Sequence, residues 1–267
     1  MRRVALLVEY DGGAFRGLQR QENTPDTVQA VLESAAKAIG CPVPRFIAAG
    51  RTDAGVHAQG QVIVMDIPER LPAHRIALAL NAYLSDAVRV RRAVECDPDF
   101  NPRLDARGRC YVYRLSAPGA PPPMYRGVVA RSIYRLDPEL TIAAANSFVG
   151  KRELREWRSS YCEGKRTLLT IDDADAWAPR VAEDDSTEPA PWWRIRFRAR
   201  SFLHHQVRFM VGGIVAVGSG RLGLEELRAA LGAGRRPTIV KCEPACGLCF
   251  ERVEYPPDRN PFRKVPT

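Results

Sequence analysis

The stretch TPDTVQAVLESAAKAIG, residues 24–40, decides the fold, because the elements on either side of it take their order from the helix it predicts. Val28, Val31, Leu32, Ala35 and Ile39 recur at three- and four-residue steps, the spacing of one helical face. Thr24-Pro25 offers an N-cap followed by proline at the first helical position, and Gly40 stands where a helix usually ends. Upstream, Arg3 to Tyr10 reads as a strand and Asp11-Gly12-Gly13 as a turn. Downstream, Phe46 to Ala49 and Gln61 to Asp66 read as short strands, Pro72 to Leu84 as a helix and Val88 to Ala93 as a strand, giving βαββαβ.

The second half repeats the scheme. A strand is expected at Arg109 to Ser116, a helix opened by Asp137-Pro138, strands near Thr167 to Trp177 and Trp192 to Arg200, more helix, and a final strand near Leu248 to Glu254. The fold class expected is therefore α+β: two tandem ferredoxin-like units with mostly antiparallel sheets and an active-site cleft between them. The expected boundary lies near Leu104, with domains at 1–104 and 105–267. Pro118 to Pro123 and the acidic Glu183 to Pro191 stretch lack periodicity and read as surface loops.

At 267 residues, with 45% hydrophobic and 27% charged side chains, the chain has enough material for a real core, which excludes fibrous and disordered classes. Its 40 Lys and Arg against 31 Asp and Glu leave a charge of +9, and the pI of 9.4 points to a polyanionic partner. No apolar run approaches the ~20 residues of a membrane helix. Val4 to Val8 is ended by Glu9 before it could serve as a signal peptide, so a cytoplasmic protein is expected. Seven scattered cysteines are expected to be reduced.

Several motifs mislead. Gly218-Ser219-Gly220-Arg221-Leu222-Gly223 fits a dinucleotide fingerprint, but Leu203, Val207, Met210, Ile214 and Val217 put a helical stripe where a strand is required, so a helix-to-helix turn is expected. Cys242, Cys246 and Cys249 have the spacing of an iron-sulfur triplet but fall late in the chain. Cys246, Leu248 and Phe250 alternate as on one strand face, so buried structural thiols are expected. Gly50 and Gly55 begin like a phosphate loop, yet Val56-His57 stand where Lys and Ser/Thr are needed, and His204-His205 lacks the spacing of a zinc protease, so no metal is expected.

Between two short strands lies Gly50-Arg51-Thr52-Asp53-Ala54-Gly55-Val56-His57, a glycine-bracketed loop in which backbone can approach a ligand closely. An aspartate there either forms the turn or acts as a catalytic carboxylate. This loop, together with Glu9-Tyr10-Asp11-Gly12, Gln19-Arg20-Gln21, Asp99-Phe100 with Arg103, Tyr111-Val112-Tyr113-Arg114, Phe202 to Gly212, and Gly247-Leu248 with Tyr255-Pro256, resembles the tRNA pseudouridine synthase A (TruA) family end to end.

The resemblance implies isomerisation of uridine to pseudouridine in tRNA, at positions 38 to 40 of the anticodon arm, by a cofactor-free homodimer. It implies that Asp53 engages the ribose, by attacking C1′ or by taking a sugar proton, and that Arg208 pairs with that carboxylate and favours its ionised form. Arg208 falls one helical turn after His204, so both are expected on one side of a helix. Tyr111 is implied as the active-site tyrosine that packs on the target base, while Tyr113 is the better core residue. Arg51 is implied to hold or replace the flipped nucleotide, and Arg20, Arg103, Arg107, Arg109 and His204 to contact phosphates.

Two departures stand out. Leu18 replaces the family's tryptophan before Gln19, and Lys151-Arg152-Glu153-Leu154-Arg155-Glu156-Trp157 replaces its histidine-aspartate-phenylalanine segment. The competing classes are an RNA-binding protein without turnover and a nucleotide-dependent enzyme using Gly218 to Gly223; the joint presence of Asp53, Tyr111 and Arg208 disfavours the first.

Overall fold

The computed structural model describes residues 1–22, 24–41, 46–116, 118, 123–162, 164–179 and 192–263. In chain order the strands and α-helices are β1 (Arg2–Tyr10), α1 (Val28–Ala38), β2 (Ile47–Ala48), β3 (His57–Ile67), α2 (Ala73–Asn81), β4 (Val88–Glu95) and β5 (Gly108–Ser116). They continue as β6 (Ala130–Arg131), α3 (Pro138–Asn146), β7 (Gly150–Glu153), β8 (Leu168–Trp177), β9 (Trp192–Ala199), α4 (Gln206–Gly218), α5 (Leu224–Gly232) and β10 (Leu248–Glu254). The protein is thus mixed α and β with mostly antiparallel pairing.

Residues pack as two compact units: Met1–Arg109 with the chain from Phe250 onward, and Cys110–Cys249. The division after Arg109, and the return of the C-terminal segment to the first unit, differ from the expected boundary at Leu104. The reason is a second apolar face. Ala5, Ala49, Val62, Val64 and Phe100 form a buried cluster, and Val253, Tyr255 and Phe262 pack on it. Residues near the C-terminus therefore cover a sheet that the N-terminal residues alone would leave open.

Within the first unit the strand order is β4-β1-β3-β10, with β2 pairing β3. β1 pairs antiparallel with β3, Val4 opposite Met65 and Leu6 opposite Ile63, and antiparallel with β4. Both faces of β1 are covered, which explains why Val4, Ala5, Leu6 and Val8 are all buried and why the run is continuous rather than alternating. α1 starts later than expected: Thr27 is its N-cap, accepting from the Ala30 amide at 3.2 Å. The Thr24 hydroxyl instead accepts from the Asp26 amide at 3.1 Å, closing a local turn ahead of the helix. Gly40, at φ +90°, ends α1 as its position suggested.

Within the second unit the order is β5-β9-β8-β7, and β6 lies parallel to β5. Asp137 caps α3 by accepting from the Leu140 amide at 2.9 Å, with Pro138 at the first helical position. α4 is buried along nearly its whole length. Its glycines permit that: a Cβ on Gly212 would stand 1.9 Å from the Lys241 carbonyl oxygen, and one on Gly218 would stand 2.3 Å from Thr141 Oγ1. The expected helix-to-helix turn is present, with α4 ending at Gly218, Gly220 at φ +71° and Gly223 capping α5. Cys246 sits in a 3₁₀ turn, Ala245–Gly247, rather than on a strand face, and Cys242 and Cys246 are half-buried while Cys249 is buried.

The expected loop over 183–191 lies outside the described residues, as does most of that over 118–123. No helix among the described residues is long and apolar enough to cross a membrane.

Candidate active site

In the first unit the loop from Gly50 to His57 joins β2 to β3, and it is fixed from several directions. The buried Thr52 meets the Tyr10 hydroxyl at 2.7 Å, and its carbonyl accepts from the Leu18 amide at 3.1 Å. The Val56 amide donates to the Asp53 carbonyl at 3.1 Å, closing a tight turn that needs Gly55 at φ +79°. Gly12 lies so close to Val56 that a Cβ on it would stand 2.1 Å from the Val56 carbonyl oxygen. His57, buried, meets the Gly12 amide at Nδ1 over 3.1 Å, and the same nitrogen lies 3.2 Å from an Asp11 carboxylate oxygen, tying the β1 end to the loop.

Two further groups hold the loop's entry. The buried Gln61 donates from Nε2 to the Gly50 carbonyl at 2.8 Å. Arg109, 8% exposed, donates from Nε and Nη2 to the Ala49 carbonyl at 3.0 and 2.7 Å, and from Nη2 to the Arg103 carbonyl at 2.8 Å. Asp53 is half-buried at the crest of this fixed loop, and Arg51 is exposed. A carboxylate held this way is aimed by its backbone, because most of the ordering entropy has been spent on folding.

In the second unit Tyr111 lies on β5, 7% exposed, with its ring edge-to-face with Phe202 at a centroid distance of 5.2 Å. Arg208 is in the first turn of α4, half-buried, and donates from Nε to the Glu243 carbonyl at 2.6 Å. Tyr113 is fully buried and donates its hydroxyl to the Pro244 carbonyl at 2.8 Å, a core residue as expected. His205 caps α4 in the left-handed region, φ +61°, a conformation that costs energy in a residue other than glycine and that clusters at functional sites.

A family model described as tRNA pseudouridine synthase matches residues 6–105 and 144–256. The tRNA pseudouridine synthase A of Caulobacter vibrioides (strain NA1000 / CB15N) is 39% identical over 256 residues, spanning 96% of this chain and 99% of that protein. Those of Rhodopseudomonas palustris (strain BisA53) and Acidiphilium cryptum (strain JF-5) are each 40% identical, over 256 and 264 residues, covering 96% and 98% of this chain and 100% and 99% of the relatives.

The chain belongs to the tRNA pseudouridine synthase family.

As a tRNA pseudouridine synthase it is an isomerase. The structure places Arg51 and Asp53 on one loop of the first unit, and Tyr111 on β5 and Arg208 on α4 of the second. Three expectations for this synthase need correction or refinement. Arg109, expected on phosphate, is buried against main-chain carbonyls and braces the aspartate loop instead. His204 precedes the left-handed cap, so it lies outside α4 and does not share a helical face with Arg208. Arg20 is exposed but ion-paired with Glu33, while Arg103, Arg107 and His204 are exposed.

The two departures from the family pattern are structural. Leu18 is buried, and its amide holds Thr52. The segment after Gly150 supplies β7, antiparallel to β8, and Trp157, a fully buried ring whose Nε1 donates to the Arg235 carbonyl at 3.0 Å. Sequence reasoning passed over Tyr10, Thr52, His57 and Gln61 as loop supports. For His57 and Gln61 the available signal was polarity in β3 beside Val56, Ala58 and Val62, where a polar side chain needs a buried partner.

Proposed function

We propose that this tRNA pseudouridine synthase isomerises uridines of the anticodon arm, at positions 38 to 40, with Asp53 as the carboxylate that acts on the ribose. The observation that carries the reading is the bracing of the 50–57 loop, in which Thr52, one residue before Asp53, is bonded through both hydroxyl and carbonyl. The reaction breaks the N1–C1′ bond, forms a C5–C1′ bond, releases the C5 proton and leaves N1 protonated. All other atoms and all electrons are retained, so no redox partner is required.

Asp53 serves either route, attack on C1′ or removal of a sugar proton, only as the anion. Arg208 supplies the cation that favours it. Tyr111, held in edge-to-face contact with Phe202, is the ring on which the extruded uracil stacks, repaying part of the few kcal/mol of unstacking. Arg51 holds or replaces the extruded nucleotide, while Arg20, Arg103, Arg107 and His204 neutralise phosphates and position the RNA. The two units are read as tandem ferredoxin-like modules, and the working form as a cytoplasmic homodimer.

The test is modification mapping of tRNA from cells lacking this protein. Loss of pseudouridine confined to positions 38 to 40, restored by the wild-type chain and not by Asp53→Asn, is the expected result. Normal pseudouridine at those positions would overturn the assignment.

A further inference from the structure

Arg208 and the segment 241–247 are bound to each other twice. The Arg208 Nε donates to the Glu243 carbonyl at 2.6 Å, and the Glu243 amide donates back to the Arg208 carbonyl at 3.3 Å. The segment lies against α4 at contact distance, since a Cβ on Gly212 would stand 1.9 Å from the Lys241 carbonyl oxygen. Next along it, the Pro244 carbonyl accepts the Tyr113 hydroxyl at 2.8 Å, and a Cβ on Gly247 would stand 2.6 Å from Tyr113 Cζ.

The Glu243 carbonyl belongs to the amide that ends in the Pro244 ring, whose φ of −54° is locked by the pyrrolidine. One torsion, ψ of Pro244 at 144°, remains between the Glu243 and Pro244 carbonyls, and the Tyr113 hydrogen bond to the second holds it, so that bond also orients the first. We propose that Tyr113 is a positioning residue for Arg208, fixing the plane of its guanidinium through Pro244 and Glu243. The inference rests on the reading of Arg208 given above.

An arginine side chain is among the most mobile there is, and its charge is useful at a carboxylate only when the fork is presented in the right plane. Nε fixed on Glu243 sets that plane through a bond that uses neither of the two terminal nitrogens. Burial, with Glu243 and Cys246 close by, pushes the Tyr113 phenol well above its ordinary range, so the hydroxyl remains a donor throughout neutral pH. Two tyrosines two residues apart on β5 thus divide the work: Tyr111 faces the base and Tyr113 holds the arginine.

A double-mutant cycle tests this, read as the single-turnover rate of tritium release from tRNA labelled at uridine C5, together with tRNA affinity. Tyr113→Phe is expected to slow release about tenfold in the wild-type background, with affinity unchanged within about twofold, and to slow it less than about twofold in an Arg208→Lys background. Equal slowing in both backgrounds, or none in the first, would overturn the inference. If Tyr113→Phe does not fold, Gly247→Ala displaces the same phenol, and the same cycle applies with the same outcomes. Arg208→Lys is itself expected to lose about a hundredfold in rate. Full activity of that variant would refute the reading of Arg208, whereas a crippled Arg208→Lys with additive Tyr113 effects would refute only the positioning role.

Discussion

The hydroxyls of Tyr10 and Thr52 meet at 2.7 Å inside the first unit, one residue from Asp53. This bond ties the end of β1 to the loop that carries the carboxylate, so a group buried in the core also holds the backbone next to the residue proposed to act on the ribose.

Thr52→Val keeps the shape and removes the hydroxyl. It is expected to destabilise the protein by about 1–3 kcal/mol, because a buried phenol loses its close partner. Turnover should fall while tRNA affinity holds. Combining it with Tyr10→Phe should cost less than the two single changes summed, since both partners are then removed; thermal unfolding of the four proteins checks this.

Gly12→Ala inserts a methyl group 2.1 Å from the Val56 carbonyl oxygen. Backbone on both sides prevents an easy retreat, so a loss of about 1–3 kcal/mol is expected, as for overpacked cores. The change should abolish most turnover by shifting the 53–56 turn. Denaturant unfolding and a turnover assay on the same preparation test it, and a fully active Gly12→Ala would contradict the bracing.

Arg103 and Arg109 should separate cleanly. Arg109→Met leaves the Ala49 and Arg103 carbonyls without their charged donor and is expected to cost about 2–4 kcal/mol of stability while the salt dependence of tRNA binding is unchanged. Arg103→Ala, at an exposed position, should leave stability nearly untouched and reduce the steepness of the salt dependence by about one ion.

Alkaline pH should weaken the fold. Burial pushes the Cys96 thiol from 9.0 to about 12, and burial also raises the Tyr113 and Tyr255 phenols. A folded-state pKa above the unfolded one means that the stabilisation is complete below the unfolded value and is lost as pH climbs. Stability is therefore expected to fall from about pH 9 toward pH 12, and Cys96→Ser should soften that slope. Midpoints of urea unfolding against pH give the measurement.

Much of this was legible in the sequence because local rules governed it. The α1 stripe, the Asp137-Pro138 helix start and the helix turn at Gly218 to Gly223 all depend on residues a few positions apart. What escaped depends on distant partners. Thr24 and Thr27 are equally good caps in isolation, and the bonds around residues 16–26 choose between them. The C-terminal segment joins the first unit because a second apolar face of β1 and β3 needs cover, which no local pattern in residues 250–263 announces. The family resemblance puts Arg109 on phosphate, and only the fold reveals the carbonyls against which it is buried. His204 lost its place on α4 through one left-handed residue, His205, which helical periodicity alone does not foresee.

The central claim, that the carboxylate at position 53 performs the isomerisation, is tested most directly by tritium release from tRNA labelled at uridine C5, comparing the wild type with Asp53→Asn at matched tRNA occupancy. Release by the wild type and none above background from the fully bound variant is the predicted result. Equal release from both proteins would contradict the account.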